Sequence, residues 1–472
     1  MNRRILLLSI FFCVVTVGFA IEKNPAWLKS VGAESFPAGK KVYWANDFGA
    51  VGDSITLNTK AIQSAVDVCA AKGGGIVAFR PGRYLSGSVF LKRGVNLRVD
   101  KGVTLLGSQN IKDYPVIRTR VAGIEMNWPA ALVNAKDQEN VAVTGEGIID
   151  GQGKFFWDLY WSMRKDYDPK GLRWIVDYDC QRPRTMVVDN SKNVTIDGVQ
   201  FQRAGFWTVQ LLYSENCTVR NVKIRNNIGG HGPSTDGIDI DSSKKILVEK
   251  CDIDCNDDNI CLKAGRDADG QRVNRPTEYV LIRDCFSMRG GGLVVFGSET
   301  AGSIRHVVAY NLKTNGTSAA VRLKSAYNRG GVVEDVTVYN VDVRNAKAGI
   351  AVSLNWNPSY SYSKLPVAYE GKELPEHWKK MLEVVPPDKG IPTFRDVHIS
   401  DVTVNDTPVG ITAAGIEKST LDNFTLENST FNVEKAGDID FGKNWIVKNV
   451  KFNTQDNKGL KITNDVNVEI IP

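Results

Sequence analysis

The segment Val194-Thr-Ile196-Asp-Gly-Val199-Gln-Phe201 decides the fold, because two apolar residues in alternation stand on either side of a two-residue bend. Related segments occur at 217–224, 246–253, 336–343, 397–404 and 447–452. The first three copies start 23 and 29 residues apart. A motif that returns at this period over most of the chain indicates a repeat architecture.

Alternation on both sides of the bend predicts two short strands that turn their apolar residues to the same side. One such unit is too small to bury that face, but stacked coils would form a continuous core. We therefore predict an all-β fold, a parallel β-solenoid. An antiparallel sandwich is the alternative, although it needs short hairpins rather than a long repeat with a bend in its middle.

The first coil of a solenoid needs a cover over its open end. Residues 58–72 carry apolar residues at helical spacing, and the run Gly73-Gly74-Gly75 follows them. We predict a capping helix there. The glycine run is not followed by Lys-Ser/Thr, so it does not indicate a phosphate-binding loop.

The 472 residues, 42% of them hydrophobic, suffice for one large core. We expect residues 1–20 to be a signal peptide, because Arg3 and Arg4 precede an apolar run that ends in Gly18-Phe19-Ala20. The protein would then be secreted or periplasmic, with no membrane span after cleavage. Cleavage lowers the formal charge from +6 to +4, which does not favour nucleic acid as a partner.

The mature chain, residues 21–472, is expected to be one β-helical catalytic domain with a long loop insertion at 355–392. That loop holds several aromatic residues and prolines, and its aromatic rings could either receive sugar rings or pack on the solenoid. Seven cysteines lie beyond the leader. We expect buried, small apolar residues rather than a disulfide or a metal site, and we expect no cofactor.

The densest acidic region lies on two consecutive coils. Asp236 stands two residues before the apolar alternation of 238–240, and Asp258 stands in the same place before 260–262, 22 residues later. Asp236 and Asp258 should therefore stack on adjacent coils, whereas Asp257 should point differently. Crowded carboxylates raise one another's pKa, and this suggests acid and base chemistry. A calcium site or a surface ladder of acidic residues remains open.

Further along, Val321-Arg322-Leu323-Lys324 alternates apolar and cationic residues. The apolar pair should enter the core, so that Arg322 and Lys324 project from one face of the solenoid. An Arg beside a Lys suits a ligand that carries a carboxylate. Ordinary solvated cations without a ligand are the alternative interpretation of this pair. Together with the acidic cluster, the pair favours an acidic polymer as the substrate.

These motifs resemble glycoside hydrolase family 28, the pectin-degrading polygalacturonases, and the resemblance favours a bacterial exo-acting member. The family's Asn-Thr-Asp stands here as Ser234-Thr235-Asp236, its paired aspartates as Asp257-Asp258 and its Arg-Ile-Lys as Arg322-Leu323-Lys324. The resemblance implies a right-handed parallel β-helix that cleaves α-linked galacturonic acid in pectin with inversion. The substrate partner would be a pectic polysaccharide or an oligogalacturonide, and we expect a monomer.

Carried over position by position, the resemblance implies that Asp257 is the general acid and that Asp236 and Asp258 hold and activate water. It also implies that Arg322 and Lys324 bind a galacturonate carboxylate and that Lys263 touches the substrate. No metal ligand is implied.

Two positions depart from the family pattern. Gly291 stands where the histidine of a Gly-His-Gly element is expected, and we interpret His231, in Gly230-His231-Gly232, as a residue outside the site. The missing imidazole keeps a rhamnogalacturonan hydrolase open as a second hypothesis. A calcium-dependent pectic lyase and a non-catalytic, carbohydrate-binding solenoid also remain open.

Overall fold

The alternating apolar residues of the repeat become the inner face of a parallel β-helix, in a computed structural model that describes residues 25–472. The all-β solenoid predicted from the repeat is confirmed. The expected signal peptide, residues 1–20, lies outside the described residues. No helix within 25–472 is long and apolar enough to cross a membrane.

Each early coil contributes one strand to each of three stacks. The first stack contains β1 (Val42–Trp44), β3 (Gly75–Ala78), β6 (Val95–Arg98), β11 (Glu139–Thr144), β14 (Lys192–Asp197), β17 (Glu215–Arg220), β20 (Lys244–Glu249), β23 (Thr277–Arg283) and, near the C-terminus, β34 (Val466–Ile471). The second stack contains β2 (Asp53–Leu57), β4 (Gly82–Ser86), β7 (Val103–Gly107), β12 (Ile148–Asp150), β15 (Gln200–Gln202), β18 (Lys223–Arg225), β21 (Asp252–Asp254) and β24 (Phe286–Ser287).

The third stack is the one that carries the acidic cluster. It contains β5 (Val89–Phe90), β10 (Val133–Lys136), β13 (Met186–Asp189), β16 (Val209–Leu212), β19 (Ile238–Asp241), β22 (Ile260–Lys263), β25 (Val294–Phe296), β27 (Ala319–Lys324), β29 (Ala348–Ser353) and β33 (Lys461–Thr463). Later strands run through more than one stack: β26 (Ile304–Asn315), β28 (Val332–Arg344), β30 (Thr393–Ala414), β31 (Leu421–Asp440) and β32 (Gly442–Thr454).

The stacking is in register, so that equivalent repeat positions lie above one another. Val194 pairs with Cys217, Cys217 with Ile246 and Ile246 with Val280, all fully buried in one core cluster. The repeat seen in the sequence corresponds to the first two strands of each coil, for example β14 and β15. The third strand did not appear in that repeat, because the loop before it varies in length from coil to coil.

The predicted N-terminal capping helix is confirmed as α1 (Thr59–Ala71). Its buried face consists of Ile62, Ala65, Val66 and Cys69, which join the main core. The helix ends where the backbone turns into the left-handed region at Gly73 and Gly74. The seven cysteines within residues 25–472 are free and buried, as expected from their apolar positions.

Three segments leave the solenoid on the side of the third stack, and we call them together the outer wall. They are the antiparallel hairpin 116–129, the helical excursion 154–180 and the loop 355–392. Their elements are β8 (Val116–Val121), β9 (Ile124–Pro129), α2 (Lys154–Tyr167), α3 (Val176–Asp179), α5 (Pro358–Ser361), α6 (Glu376–Met381) and α7 (Pro387–Gly390). Between the two later segments, α4 (Asp267–Val273) follows β22.

The outer wall has an apolar cluster of its own. Trp128 of the hairpin, Trp174 of the helical excursion and Trp378 of the loop pack together with Phe206 and Trp207 of the solenoid. The sequence motifs predicted the loop but neither the hairpin nor the helical excursion, which interrupt the repeat without a pattern of their own. Short 3-10 helices lie at Ala26–Ser30, Ala45–Phe48, Ile111–Asp113, Asp168–Lys170 and Val367–Tyr369.

Candidate active site

The third stack places the acidic cluster at the starts of two neighbouring strands. Asp236 precedes β19, Asp258 precedes β22, and the Gly237 backbone N–H donates to the Asp258 carbonyl at 2.9 Å. The register continues through the pairing of Ile238 with Ile260. The predicted stacking of Asp236 on Asp258 is confirmed.

Asp257 differs from its two neighbours in exposure. Asp236 and Asp258 are buried, whereas Asp257 is half-buried, and all three line one pocket. The Asp258 backbone N–H donates to Asp257 Oδ1 at 3.0 Å, which fixes the orientation of that carboxyl group. Asp257 is therefore the member of the cluster best placed to meet a substrate from the solvent side.

The two cations of β27 take different positions beside this cluster. Lys324 Nζ lies 2.7 Å from Asp258 Oδ2, and its side chain is only 5% exposed. Arg322 Nη1 lies 4.0 Å from Asp258 Oδ1, and its side chain is 22% exposed. Val321 and Leu323 enter the core as predicted. Arg322 thus remains available to a ligand, while Lys324 is committed to Asp258.

Lys263, expected from the family resemblance to touch the substrate, lies at the centre of a buried charge network. Its Nζ lies 3.5 Å from Asp236 Oδ2, 3.6 Å from Asp239 Oδ1 and 3.4 Å from Glu299 Oε2. The ammonium group also lies 4.7 Å from the centre of the Trp207 ring. One cation is therefore shared by three carboxyl groups at the base of the pocket, and these contacts hold the floor of the pocket in place.

The environments of the carboxyl groups push their pKa values in opposite directions. Burial, reinforced by the charge of Asp258, raises the pKa of Asp257. Burial, reinforced by Asp239 and Asp257, raises the pKa of Asp236 well above its ordinary value. Burial also opposes ionisation of Asp258, but Lys324, Lys263 and Arg322 outweigh it and lower the pKa of Asp258. The pKa of Asp257 is therefore pushed above that of its neighbour Asp258, so that a proton shared by the two favours Asp257.

The pocket encloses about 430 Å³, including its open mouth. Five of the six expected residues line it, and Arg322 lies beside the pocket rather than in its lining. The floor also contains Glu299, and the sides contain Trp207 and Ser234. The outer wall adds Ala122, Arg173 and Asp177, which no sequence motif indicated. It also adds Trp356 and Tyr360 of the aromatic loop, whose rings were expected either to receive sugar rings or to pack on the solenoid.

The pocket residues that the sequence motifs did not indicate were not equally predictable. Glu299 stands in the Gly297-Ser298-Glu299 segment that follows the glycine run, so its position relative to β25 could have indicated it. The residues of the outer wall had no repeat to locate them. The loop 355–392 does bring an aromatic ring to the site, because the Trp356 ring lies 4.4 Å from Lys324 Nζ and 5.8 Å from the Arg322 guanidinium.

Any side chain at position 291 would have to displace the Asp258 carboxyl group. A Cβ atom added to Gly291 would collide with Asp258 Oδ1, and one added to Gly290 would approach the Asp257 carbonyl oxygen. The Gly291 carbonyl instead accepts a hydrogen bond from Arg322 Nη1 at 2.9 Å. The imidazole of His231 stacks on Trp161 at 5.7 Å, outside the residues that line the pocket.

A metal site is a second interpretation of the acidic cluster. Asp236, Asp258 and Cys261 can each bring one ligand atom within 4.8 Å of the others. A cation there would compete with Lys324 and Lys263, which already compensate these carboxyl groups at 2.7 and 3.5 Å. The donor set is therefore better suited to proton transfer than to holding Ca²⁺, which prefers six to eight oxygen ligands.

The arrangement can donate a proton and withdraw one within a single pocket. Asp258 Oδ2 is held by Lys324, whereas Asp258 Oδ1 accepts no hydrogen bond from the residues that the structure describes. Oδ1 can therefore accept a proton from water, while Asp257 supplies one to a leaving oxygen. Arg322 can bind an anionic group beside them.

A family model described as "Glycosyl hydrolases family 28" matches residues 81–367. The chain is 30% identical over 312 residues to "Probable polygalacturonase" from Vitis vinifera, covering 64% of this chain and 60% of that protein. It is 27% identical to "Exo-poly-alpha-D-galacturonosidase" from Dickeya chrysanthemi, covering 70% of this chain and 60% of that protein. The chain thus spans about 60% of the length of these curated relatives.

Among solved structures, the chain is similar to an exopolygalacturonase from Thermotoga maritima. The two are 28% identical, with a TM-score of 0.75, and the match covers 90% of this chain and 94% of the other.

Proposed function

The chain belongs to glycosyl hydrolase family 28, and from this premise we propose that it hydrolyses α-linked galacturonic acid residues in pectin. The observation that carries the proposal is the arrangement within the pocket: Asp257 is half-buried, and Asp258 Oδ2 lies 2.7 Å from Lys324 Nζ. Burial accordingly raises the pKa of Asp257, and the nearby cations lower that of Asp258. Hydrolysis of a glycosidic bond needs one carboxylic acid and one carboxylate at the same bond.

In the proposed reaction, Asp257 gives its proton to the oxygen of the leaving sugar as the bond from that oxygen to the anomeric carbon breaks. Water attacks the anomeric carbon from the opposite face and gives a proton to Asp258, while Asp236 holds the water. This sequence inverts the anomeric configuration. Asp257 ends ionised and Asp258 ends protonated, so one proton returns from Asp258 to Asp257 through solvent before the next cycle.

Substrate binding is proposed to depend on Arg322, whose guanidinium can contact a carboxylate with two parallel hydrogen bonds. Lys324 and Lys263 act mainly through the carboxyl groups they neutralise. The paired charge of Lys324 keeps Asp258 ionised, and Lys263 keeps Asp236 and Glu299 together at the base of the pocket.

We further propose that the enzyme releases sugar from chain ends. The support for this is the outer wall, three separate segments of which meet over one side of the catalytic carboxyl groups. An endo-acting enzyme needs a groove through which the polymer can continue in both directions, and we propose that the wall closes such a groove at one end.

Gly291 favours one second candidate, a hydrolase of rhamnogalacturonan. The glycine leaves no imidazole beside Asp258, and the Gly291 carbonyl takes part of the Arg322 hydrogen bonding instead. The family pattern has a histidine at this position. The difference therefore lies where a substrate would contact both Asp258 and Arg322.

The test is a comparison of products from polygalacturonate, oligogalacturonides and rhamnogalacturonan, followed by NMR to record the anomeric configuration as it forms. The proposal expects galacturonic acid from the ends of polygalacturonate, with inverted configuration. Activity confined to rhamnogalacturonan would establish the second candidate. An unsaturated product that absorbs ultraviolet light and disappears with a chelator would establish a lyase and contradict both.

A further inference from the structure

The outer wall brings one cation into the pocket that the proposed chemistry does not use. We propose that Arg173 binds the carboxylate of the terminal uronic acid, the ring whose glycosidic bond is cleaved. This rests on the proposed function and deepens it. Arg322 on β27 and Arg173 on the helical excursion would then each take one of the two carboxylates that flank a bond between two uronic acids.

The charges around Arg173 leave a positive excess. Arg173 Nη1 donates to Asp177 Oδ2 at 2.8 Å, and Arg182 Nη2 donates to Asp177 Oδ1 at 3.0 Å. One carboxylate therefore faces two guanidinium groups. The Arg182 side chain is 0% exposed, whereas that of Arg173 is 16% exposed. Arg173 is the member of the pair that presents the excess charge to the pocket.

Arg173 is also held in one orientation. The Tyr360 ring lies 4.9 Å from its guanidinium carbon, and both residues line the pocket. Within the described part of the chain, the Arg173 guanidinium donates one hydrogen bond, to Asp177. The remaining N–H groups of a planar, pre-oriented guanidinium can contact a carboxylate with little loss of side-chain entropy.

The same network reaches the catalytic segment. Ser234 Oγ donates to Asp177 Oδ1 at 2.7 Å, and Ser234 stands two residues before Asp236. Asp177 therefore joins Arg173 to the strand start that carries Asp236. A sugar carboxylate held at Arg173 would place the sugar ring against the residues that act on its anomeric carbon.

Two substrates separate the two arginines, because an aryl α-galacturonide carries one carboxylate and digalacturonide carries two, one on each side of the bond that is cleaved; chromatography of the released galacturonic acid follows both reactions. Arg173→Gln is expected to lower kcat/KM by roughly 10- to 100-fold on both substrates, the loss of one charge-assisted hydrogen bond. Arg322→Gln is expected to lower kcat/KM far more on the digalacturonide than on the aryl galacturonide. Arg164→Gln, on α2 of the same excursion, is the matched control and should leave both values unchanged.

Titration calorimetry tests the same contact without turnover. Wild-type protein should bind galacturonate more tightly than galactose, Arg173→Gln should lose that preference, and Arg173→Lys should regain part of it. If Arg173 serves only to hold Asp177, the substitution will weaken both sugars equally, and the proposal is wrong. If the wild-type protein hydrolyses no galacturonide but still binds galacturonate more tightly than galactose through Arg173, the proposed function is wrong and the binding site is supported. If the wild-type protein binds the two sugars equally, the binding site is wrong as well.

Discussion

The floor of the pocket and the outer wall are held together by different means. The floor follows from in-register stacking, in which Asp236 and Asp258 occupy the same place on consecutive coils. The wall follows from contacts between distant segments, such as the hydrogen bond from Arg266 Nη2 to the Tyr360 carbonyl, 94 residues away. Changes in the floor should therefore alter the reaction itself, whereas changes in the wall should alter how substrate is held.

The largest effect is expected from the floor. Asp257→Asn should lower kcat by between about 10²- and 10⁴-fold, because the amide cannot supply the proton that the leaving oxygen needs. Binding of oligogalacturonide should persist, since Arg322 and Arg173 are untouched. Initial rates on oligogalacturonides and calorimetric binding measure the two quantities.

Asp284→Asn is the matched control for this change, because Asp284 lies on the solenoid surface away from the pocket and asparagine tolerates its positive φ. It should leave kcat and binding as in the wild type. A kcat of Asp257→Asn close to that of the wild type would remove Asp257 from the reaction.

An intermediate effect is expected where the floor meets a cation. Lys324→Gln removes the charge that favours ionisation of both Asp257 and Asp258, so the pKa of each should rise. Activity needs Asp258 ionised, so the acid side of the pH profile should move to higher pH. It also needs Asp257 protonated, so the alkaline side should move in the same direction.

The pH dependence of kcat/KM measures that shift, and kcat/KM at the wild-type optimum should fall by roughly 10- to 100-fold as the ion pair with Asp258 is lost. Lys347→Gln, an exposed lysine one coil further on, is the control and should keep the wild-type profile. An unshifted profile in Lys324→Gln would show that Lys324 does not set the protonation of the pair.

The smallest effect is expected in the wall. Arg266 donates to Asp267, to the Tyr178 hydroxyl and to the Tyr360 carbonyl, and its backbone N–H donates to the Gly123 carbonyl. Arg266→Gln should weaken the contacts that join the hairpin, the helical excursion and the loop. We expect KM to rise about 5-fold, the loss of roughly 1 kcal/mol of positioning, with kcat little changed.

Hydrogen exchange can locate this change. Amide protons of residues 355–392 should exchange faster in Arg266→Gln, while those of the solenoid strands should not. Arg305→Gln, which removes an ion pair with Glu278 on the solenoid surface, serves as the control. Faster exchange throughout the solenoid would contradict the separation of wall and floor.

The sequence predicted the repeating coils, the capping helix and the loop 355–392, but it missed the hairpin and the helical excursion of the outer wall. The alternation at 194–201 predicted β14 and β15, and the 22-residue spacing placed Asp236 above Asp258. The third strand lay outside the repeat, because loops of unequal length precede it, and the sequence indicated it only at 238–240, 260–262 and 321–324. Lys263 was expected from the family resemblance to meet substrate; its three carboxylate partners, Asp239 and Glu299 among them, became visible only once the coils were stacked.

By itself, the sequence determined the solenoid, its capping helix and the clustering of acids with a cationic pair, because a periodic backbone converts spacing along the chain directly into position in space. Only the tertiary structure decided that the three segments of the outer wall close over one side of that cluster and that Arg173 lines the same pocket. Those contacts join segments with no common period, so their partners depend on the packing of the Trp128, Trp174 and Trp378 cluster and not on any local pattern.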